Sequence, residues 1–551
     1  MSEFDRVPVA PESLKPARYF AASYAGEHVA GTEFVIGAMF VAWGVDALEV
    51  IQGLILGNTL AVLTWVFICG PIATDTRLTL YAYLEKIAGP VFIKFYSIVN
   101  GVLMCILAGA MITVSASAVR ILFDIPPQVN WYPNSLAFVL VAIGVGAFIA
   151  YSAVRGFSFV ARFAEVSAPW MISMFFIGAL ALTPTLINGT PEVSSINNAA
   201  DFLSLAQLSI WKDMGTEMNI WHVVAIAWGA NLAFHGALGD MTILRFARKT
   251  SYAWYSALGM FIGHFAAWLA AGIMGAGAAM ILDKALTSLD AGEVAYQALG
   301  SAGILAVIIA GWTTSNPTIY RAGLAFQSLN PKWSREKVTL FVGVITTIIA
   351  CFPFVFTGLL DYLGIMALVL APTGGIIIAE HYILEKINIV RYWRQINDNK
   401  INTPAIITWI ISVSIAGLCS YGFDLHILFL FVPAWATAVI LYPMLSKIAG
   451  AGNVDRLVAD KINKLENDRK REEKNYLQTA EENFQKTPSS LLQTILKSVA
   501  VLSLLAGFIV AVKAYTTGEQ ETFKVNILIL TVIYFIAAIS LVFFLPKAKD
   551  E

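Results

Sequence analysis

The stretch Ala21-Ala22-Ser23-Tyr24-Ala25-Gly26-Glu27-His28-Val29-Ala30-Gly31-Thr32-Glu33-Phe34 sets two carboxylates and an imidazole among small residues. Ionisable groups are costly in hydrocarbon, so inside a membrane span they face a partner or a cavity. Glycine tolerates backbone angles that other residues avoid, so a helix can open here. If residues 1–33 were an aqueous tail, only Phe34 to Val45 would precede Asp46. That is too short to cross, because a span needs ~20 apolar residues. The stretch therefore predicts a membrane helix that breaks in its middle.

A second stretch has the same character. Ala230-Asn231-Leu232-Ala233-Phe234-His235-Gly236-Ala237-Leu238-Gly239-Asp240 again sets a histidine, an acid and two glycines after an apolar start at Ile220. The two stretches fall in the first and sixth apolar segments, each the first of five. Matched interruptions in two halves point to an inverted-repeat transporter with its site at the midplane. Irregular backbone at that depth must line a cavity or be buried in protein.

The rest of the chain supports a membrane setting. Of 551 residues, 58% are apolar and 13% charged, against about 25% charged in soluble domains. The 36 Lys and Arg nearly cancel the 37 Asp and Glu, which excludes a nucleic-acid binder held by a basic field. Fourteen spans are expected, at 20–45, 47–72, 88–117, 134–153, 164–187, 219–244, 253–281, 303–327, 338–356, 358–382, 403–421, 425–446, 490–513 and 525–545. With both termini cytoplasmic, only Arg120, Lys212, Lys284, Lys513 and Lys524 fall in outside loops. That asymmetry is the one positive-inside chains show. The expectation is a multi-pass protein of the cell (inner) membrane. The polar, Pro-rich start predicts no cleavable signal peptide. The four cysteines lie in apolar runs and imply no disulfide framework.

The organisation expected is a cytoplasmic tail over 1–18, a transport core of ten spans over 19–382, two spans over 383–446, a charged linker over 447–488, and two further spans over 489–551. Residues 453–488 carry eight basic and eight acidic side chains and end at Pro488. Val454, Leu457, Val458, Ile462 and Leu465 recur at helical spacing there. A cytoplasmic helix on or near the membrane is expected, serving as a solvated linker or a regulatory arm.

The eighth span holds Ala310-Gly311-Trp312-Thr313-Thr314-Ser315-Asn316-Pro317. Hydroxyls in membrane helices commonly bond back to their own helix. Beside an opened first span they are also hard oxygen ligands suited to Na⁺. Asn316 offers a donor and an acceptor, which suits a heterocyclic amide. Pro317 frees a carbonyl one turn earlier. In the tenth span, Pro372-Thr373-Gly374-Gly375 is a gate candidate, and Glu380-His381-Tyr382 reads as an interfacial end.

These residues resemble the nucleobase–cation symporter family, which includes the cytosine permeases and the hydantoin transporter. The resemblance rests on Leu56-Gly57-Asn58, on Asp240 through Lys249, and on Trp312 through Leu324 with the Leu-Asn-Pro loop at 329–331. It rests also on Pro372 through Tyr382, and covers roughly residues 10–446. It implies an all-α membrane protein with the five-plus-five inverted-repeat core also seen in Na⁺-coupled amino-acid transporters, coupled to Na⁺ or H⁺. Its sodium site uses carbonyls of the opened first span and two adjacent hydroxyls of the eighth. The hydroxyls map to Thr313 and Thr314, and the carbonyls to the region of Ala30 to Glu33. Candidate cation ligands are thus Thr313, Thr314, Ala310, Ala30 and Glu33. Candidate substrate contacts are Glu33, His235 and Asn316, with Asn100, Phe234 and Gly31 beside them.

The chain departs from the family pattern in three places. Asn100 to Cys105 lacks the aromatic that often stacks on the substrate ring. Glu27, His28, Glu33 and His235 are unusual charges for these spans. The last two spans and the linker are extra. The expected function is cation-coupled import of a small polar solute, most simply a nucleobase or related heterocycle, by alternating access. The same fold with a vitamin precursor or a cationic or metal-like cargo is the alternative, followed by a channel or sensor. The chain has no HExxH, phosphate loop or Gly-x-Ser-x-Gly elbow, so no enzyme is expected. Partners expected are a small molecule and the lipid bilayer, with no nucleic acid. Neither the cargo's identity nor the oligomeric state follows from these residues.

Overall fold

The computed structural model describes residues 6–128, 130–330, 332–353, 358–483 and 490–545. Pro331, residues 354–356 of the ninth span, Pro488 and the last lysines fall outside the described residues. The chain is helical, and no β-strand occurs among the described residues. Among the described residues, eleven helices are long and apolar enough to cross a membrane. The first, sixth and ninth expected spans are not among them. Among its described residues the ninth holds one helix of 16 residues, Arg335–Ala350. The other two are broken.

The first span is two helices, Ala17–Glu27 and Thr32–Ala42, joined by His28 to Gly31. Packing supplies the room for this joint. A Cβ on Gly31 would sit 2.6 Å from Val114 Cγ1 of the third span, and one on Gly259 2.7 Å from His28 Nδ1. Gly263, one turn on in the seventh span, lies so close to the His28 carbonyl that any side chain there would overlap it. The pair Gly259 and Gly263 is the groove that receives the opened segment.

The sixth span starts as Ile220–Gly229, capped by Asn219 and His222. It continues as one turn, Leu232–His235, and then irregular backbone to Asp240 with Leu238 at φ 63°. Gly374 of the tenth span packs directly on the Gly236 carbonyl, where a Cβ would overlap it. The Pro372 to Gly375 group itself lies within a continuous helix, Leu359–Ile378.

Helix pairings recur between the two halves. The first span packs on the fifth and seventh, and the sixth on the tenth and second. The third packs on the ninth, and the eighth on the fourth. The third and eighth also run against each other along their lengths, forming the buried centre. This is the two-fold relation that an inverted repeat demands.

The remaining helices are peripheral. Thr403–Phe423 and Ile427–Ile448 pack on the tenth span. Leu491–Thr517 and Gln520–Phe544 pack on each other and on the fifth, where Trp170 Nε1 donates to Thr531 Oγ1 at 3.0 Å. The charged linker is a helix, Arg456–Asn483, lying against the end of the second span. Val454 and Ile462 turn toward the core, whereas Leu457 and Leu465 are exposed.

Candidate functional site

The opened first span leaves backbone oxygens without helical partners. Thr314 of the eighth span collects one of them. Its hydroxyl lies 3.1 Å from the Glu27 carbonyl and 3.2 Å from the Ala310 carbonyl. Thr313 Oγ1 lies 3.0 Å from the same Ala310 carbonyl. Two carbonyls and two hydroxyls from two spans therefore gather within hydrogen-bond reach. They are oxygens only, the donor set of a hard monovalent cation. The first-span carbonyl that reaches Thr314 belongs to Glu27, one turn before Ala30. The Ala30 carbonyl instead accepts from Glu33 N at 3.2 Å, starting the second half-helix.

Beside this cluster lies a cavity of about 40 Å³. Glu27, Ala30, Glu33, Asn231, Phe234 and Thr314 line it, with His264 and Trp268 of the seventh span and Leu107 and Met111 of the third. Both breaks thus open onto one space. Since one water needs about 10–15 Å³ of such space, the cavity holds a few waters. Admitting a nitrogen heterocycle requires its walls to move.

Glu33 is buried in the first turn of the second half-helix, where the helix dipole favours a carboxylate. Its Oε2 accepts from Trp268 Nε1, and its Oε1 lies 3.8 Å from His264 Nε2. Asn231 Nδ2 is 3.2 Å from His264 Nε2. Trp268 stacks on His264, with ring centroids 4.4 Å apart. His264 meets His28 at 5.1 Å, and Trp65 of the second span stands between His28 and His235 at 5.6 and 4.7 Å. A ladder of rings thus joins the seventh span, the first break and the sixth break.

His235 does not line the cavity. Its Nε2 lies 3.0 Å from the Trp228 carbonyl, and its ring packs on Trp65. Phe234 does line it, with the Arg321 guanidinium 4.3 Å above its ring. Gly31 caps the second half-helix between the third and eighth spans. Asn100 donates to Tyr81 Oη at 3.0 Å and is not in the cavity wall. Asn316 is fully buried and lines a separate small void with Ser23, Glu27 and Thr313, between the first, fifth and eighth spans.

Arg321 holds the ends of the two broken spans together. It donates to Glu27 at 2.5 and 3.1 Å and to Asp240 at 2.6 Å. Tyr24 Oη and Trp65 Nε1 also donate to Asp240, at 3.1 and 2.7 Å. Read from sequence, Arg321 belongs among the cytoplasmic cations that set orientation. It is instead 1% exposed, inside the eighth helix. The signal was available: a lone arginine in an apolar run demands carboxylates, and the broken spans supply Glu27 and Asp240. Asn231, His264 and Trp268 were also missed, and their types alone carry no such signal. Of His28, Glu27, Glu33 and His235, only Glu27 and Glu33 line the cavity. Among the described residues no group of three or more His, Cys, Asp or Glu is placed to hold a metal ion.

Two broken helices meeting at one small cavity, within two halves of matching contacts, define a five-plus-five transporter fold. The solved structures it resembles have that fold too. Mhp1, a nucleobase-cation-symport-1 family transporter, in a closed conformation with bromovinylhydantoin bound, is 15% identical, with a TM-score of 0.62 over 81% of this chain and 96% of its own. The inward-facing conformation of Mhp1 gives 0.59 over 82% and 94%, also at 15% identity. A Na⁺-coupled sialic acid symporter in a substrate-bound outward-open state gives 0.56 over 79% and 90%, at 14% identity. All are transporters and none is an enzyme. No protein-family model and no curated protein matches the sequence. At these identities the likeness establishes the fold, and with it a multi-span membrane protein.

Proposed function

We propose that this chain is a Na⁺-coupled symporter that imports a small nitrogen heterocycle of the nucleobase type by alternating access, in the cell (inner) membrane with both termini cytoplasmic. The observation that carries this reading is the oxygen cluster of Glu27, Ala310, Thr313 and Thr314, of which Glu27 and Thr314 reach the wall of a cavity that both breaks share. A Na⁺ bound there takes over the hydroxyl and carbonyl oxygens that now bond one another. It thereby fixes the first span against the eighth and shapes the adjoining wall for cargo. Glu33 and Asn231 offer polar contacts to ring N–H and C=O groups, and Phe234 and Trp268 offer apolar faces. The cargo class is supported by these groups and by what Mhp1 is named as binding.

Proteoliposomes loaded with purified protein provide the test, with a panel of labelled nucleobases and hydantoins under an inward Na⁺ gradient or a pH gradient. Uptake driven by Na⁺ is expected. Thr314→Ala removes a ligand to a charged species, worth about 1.5–3 kcal/mol, so it should raise the Na⁺ concentration for half-maximal uptake about tenfold or more. Unchanged Na⁺ dependence in both Thr313→Ala and Thr314→Ala removes the sodium assignment. Uptake driven by the pH gradient alone replaces Na⁺ with H⁺.

A further inference from the structure

The second span ends at Arg77, whose left-handed backbone (φ 58°) turns the chain away from its helix. The Arg77 side chain is buried, and a buried guanidinium needs acceptors for its N–H groups. Its Nη1 donates to the carbonyls of Arg245 and Ala247, at 3.0 and 2.6 Å, where the sixth span leaves the bundle. Its Nε and Nη2 donate to the two carboxylate oxygens of Glu473, at 3.0 and 2.5 Å. Glu473 lies 396 residues further on, in the linker helix Arg456–Asn483. This two-pronged pairing is the strong and directional form of the contact. The tail before the first span is held at the same place. The Arg77 carbonyl accepts from Val9 N at 3.0 Å, and Lys15 N donates to the Phe246 carbonyl at 2.7 Å.

The rest of the linker helix holds the same end. Lys470 pairs with Asp75, which also pairs with Arg391, beyond the tenth span, at 2.9 Å. Arg469 donates to the Asp75 carbonyl and pairs with Glu473 at 3.2 Å. Ile462 and Leu477 pack on the core. The helix thus lies across the end where Ala17–Glu27 of the first span begins and Met241–Leu244 of the sixth finishes. Those are half-helices of the two broken spans, the parts that alternating access has to move. We propose that the linker helix is a strap that holds these two half-helices together, with Glu473 on Arg77 as its clasp, and that the clasp releases before this end of the bundle opens. The inference rests on the alternating-access reading. A clasp suits this task because its helix is tethered to the core, so it re-forms at a high effective concentration after each release. Segments that move in a working cycle come from the less stable parts of a structure, and this helix is largely exposed.

Alkylation of the full chain in lipid nanodiscs follows opening at each end. Cys419 is half-buried and is first changed to Ser, while the other three cysteines are buried and stay. Ser23→Cys reports the strap end, since Ser23 lies one turn before Glu27, buried between the first, fifth and eighth spans. Met39→Cys reports the far end of the first span. A maleimide reacts faster at either position as that end opens. Glu473→Gln removes the charge of the clasp and should raise the Ser23→Cys rate about tenfold, without raising the Met39→Cys rate. An equal Ser23→Cys rate with and without Glu473 overturns the proposal. So does a rise at both positions, which is general loosening rather than release of a strap. No cargo or cation enters this readout. A Ser23→Cys rate indifferent to Glu473 while Na⁺ drives uptake removes the strap alone, and the reverse result removes the sodium assignment alone.

Discussion

The first and sixth spans break at matching places, yet the acids they carry end in opposite situations. Glu33, after the first break, faces the cavity with a tryptophan N–H and a histidine nearby. Asp240, after the sixth, is removed from it by Arg321, Tyr24 and Trp65. The histidines both bond back to a carbonyl of their own span, His28 to Tyr24 and His235 to Trp228, but His28 also packs into the seventh-span groove. Helix breaks of equal sequence character thus serve unequal ends. The acid after the first break stands at the cavity, and the acid after the sixth anchors the bundle beside it. What separates them is the partner each charge finds, above all Arg321.

Removing Arg321 should have the largest effect, because it erases the contrast at its source. Arg321→Met leaves two buried carboxylates uncompensated, and breaking a buried ion pair from one side costs about 3–5 kcal/mol. The variant should unfold well below wild type in a detergent thermal melt, or fail to yield folded protein. A double variant, Arg321→Met with Asp240→Asn, should recover part of that loss, since one stranded charge is gone. A melt of Arg321→Met indistinguishable from wild type would mean that the network does not join the two breaks.

Next in size is Glu33→Gln. The carboxamide still accepts from Trp268 Nε1, so the fold should hold, with a melting change under about 1 kcal/mol. The charge at the cavity disappears, and KM for cargo uptake should rise about tenfold or more. Transport at wild-type KM would place the cargo contact elsewhere and make Glu33 as structural as Asp240.

Much of this architecture was legible in the residues. A helix too polar to cross intact, yet too apolar to stay in water, has to open, so both breaks could be located from glycines and ionisable groups alone. The approach of the eighth-span hydroxyls to the opened first span was legible from their adjacent Thr residues, one of which bonds the Glu27 carbonyl. The cavity wall was not. Asn231, His264 and Trp268 look like ordinary packing residues, and only the fold sets two seventh-span rings beside the opened first span. Asn100 and Asn316 show the converse: polar residues in the expected spans, one bonded to Tyr81 and the other facing a separate void. Side-chain direction around a broken helix depends on where the chain resumes, and composition does not encode that. Arg321 is the instructive case, because counting it as a loop cation hides the pairing its burial requires.

The smallest effect should come from the sixth break itself. His235→Phe keeps a ring of similar size against Trp65 but loses the contact with the Trp228 carbonyl. A buried carbonyl left without its partner costs about 1–3 kcal/mol, and part of this is recovered because an apolar ring is cheaper to bury than an imidazole. The melt should fall by about 1 kcal/mol, and KM for uptake should stay within about threefold of wild type, since the ring lies outside the cavity. A tenfold rise in KM with an unchanged melt would mean that His235 turns into the cavity during the transport cycle. Both breaks would then present an ionisable group to cargo, and their asymmetry would belong to this conformation rather than to the mechanism.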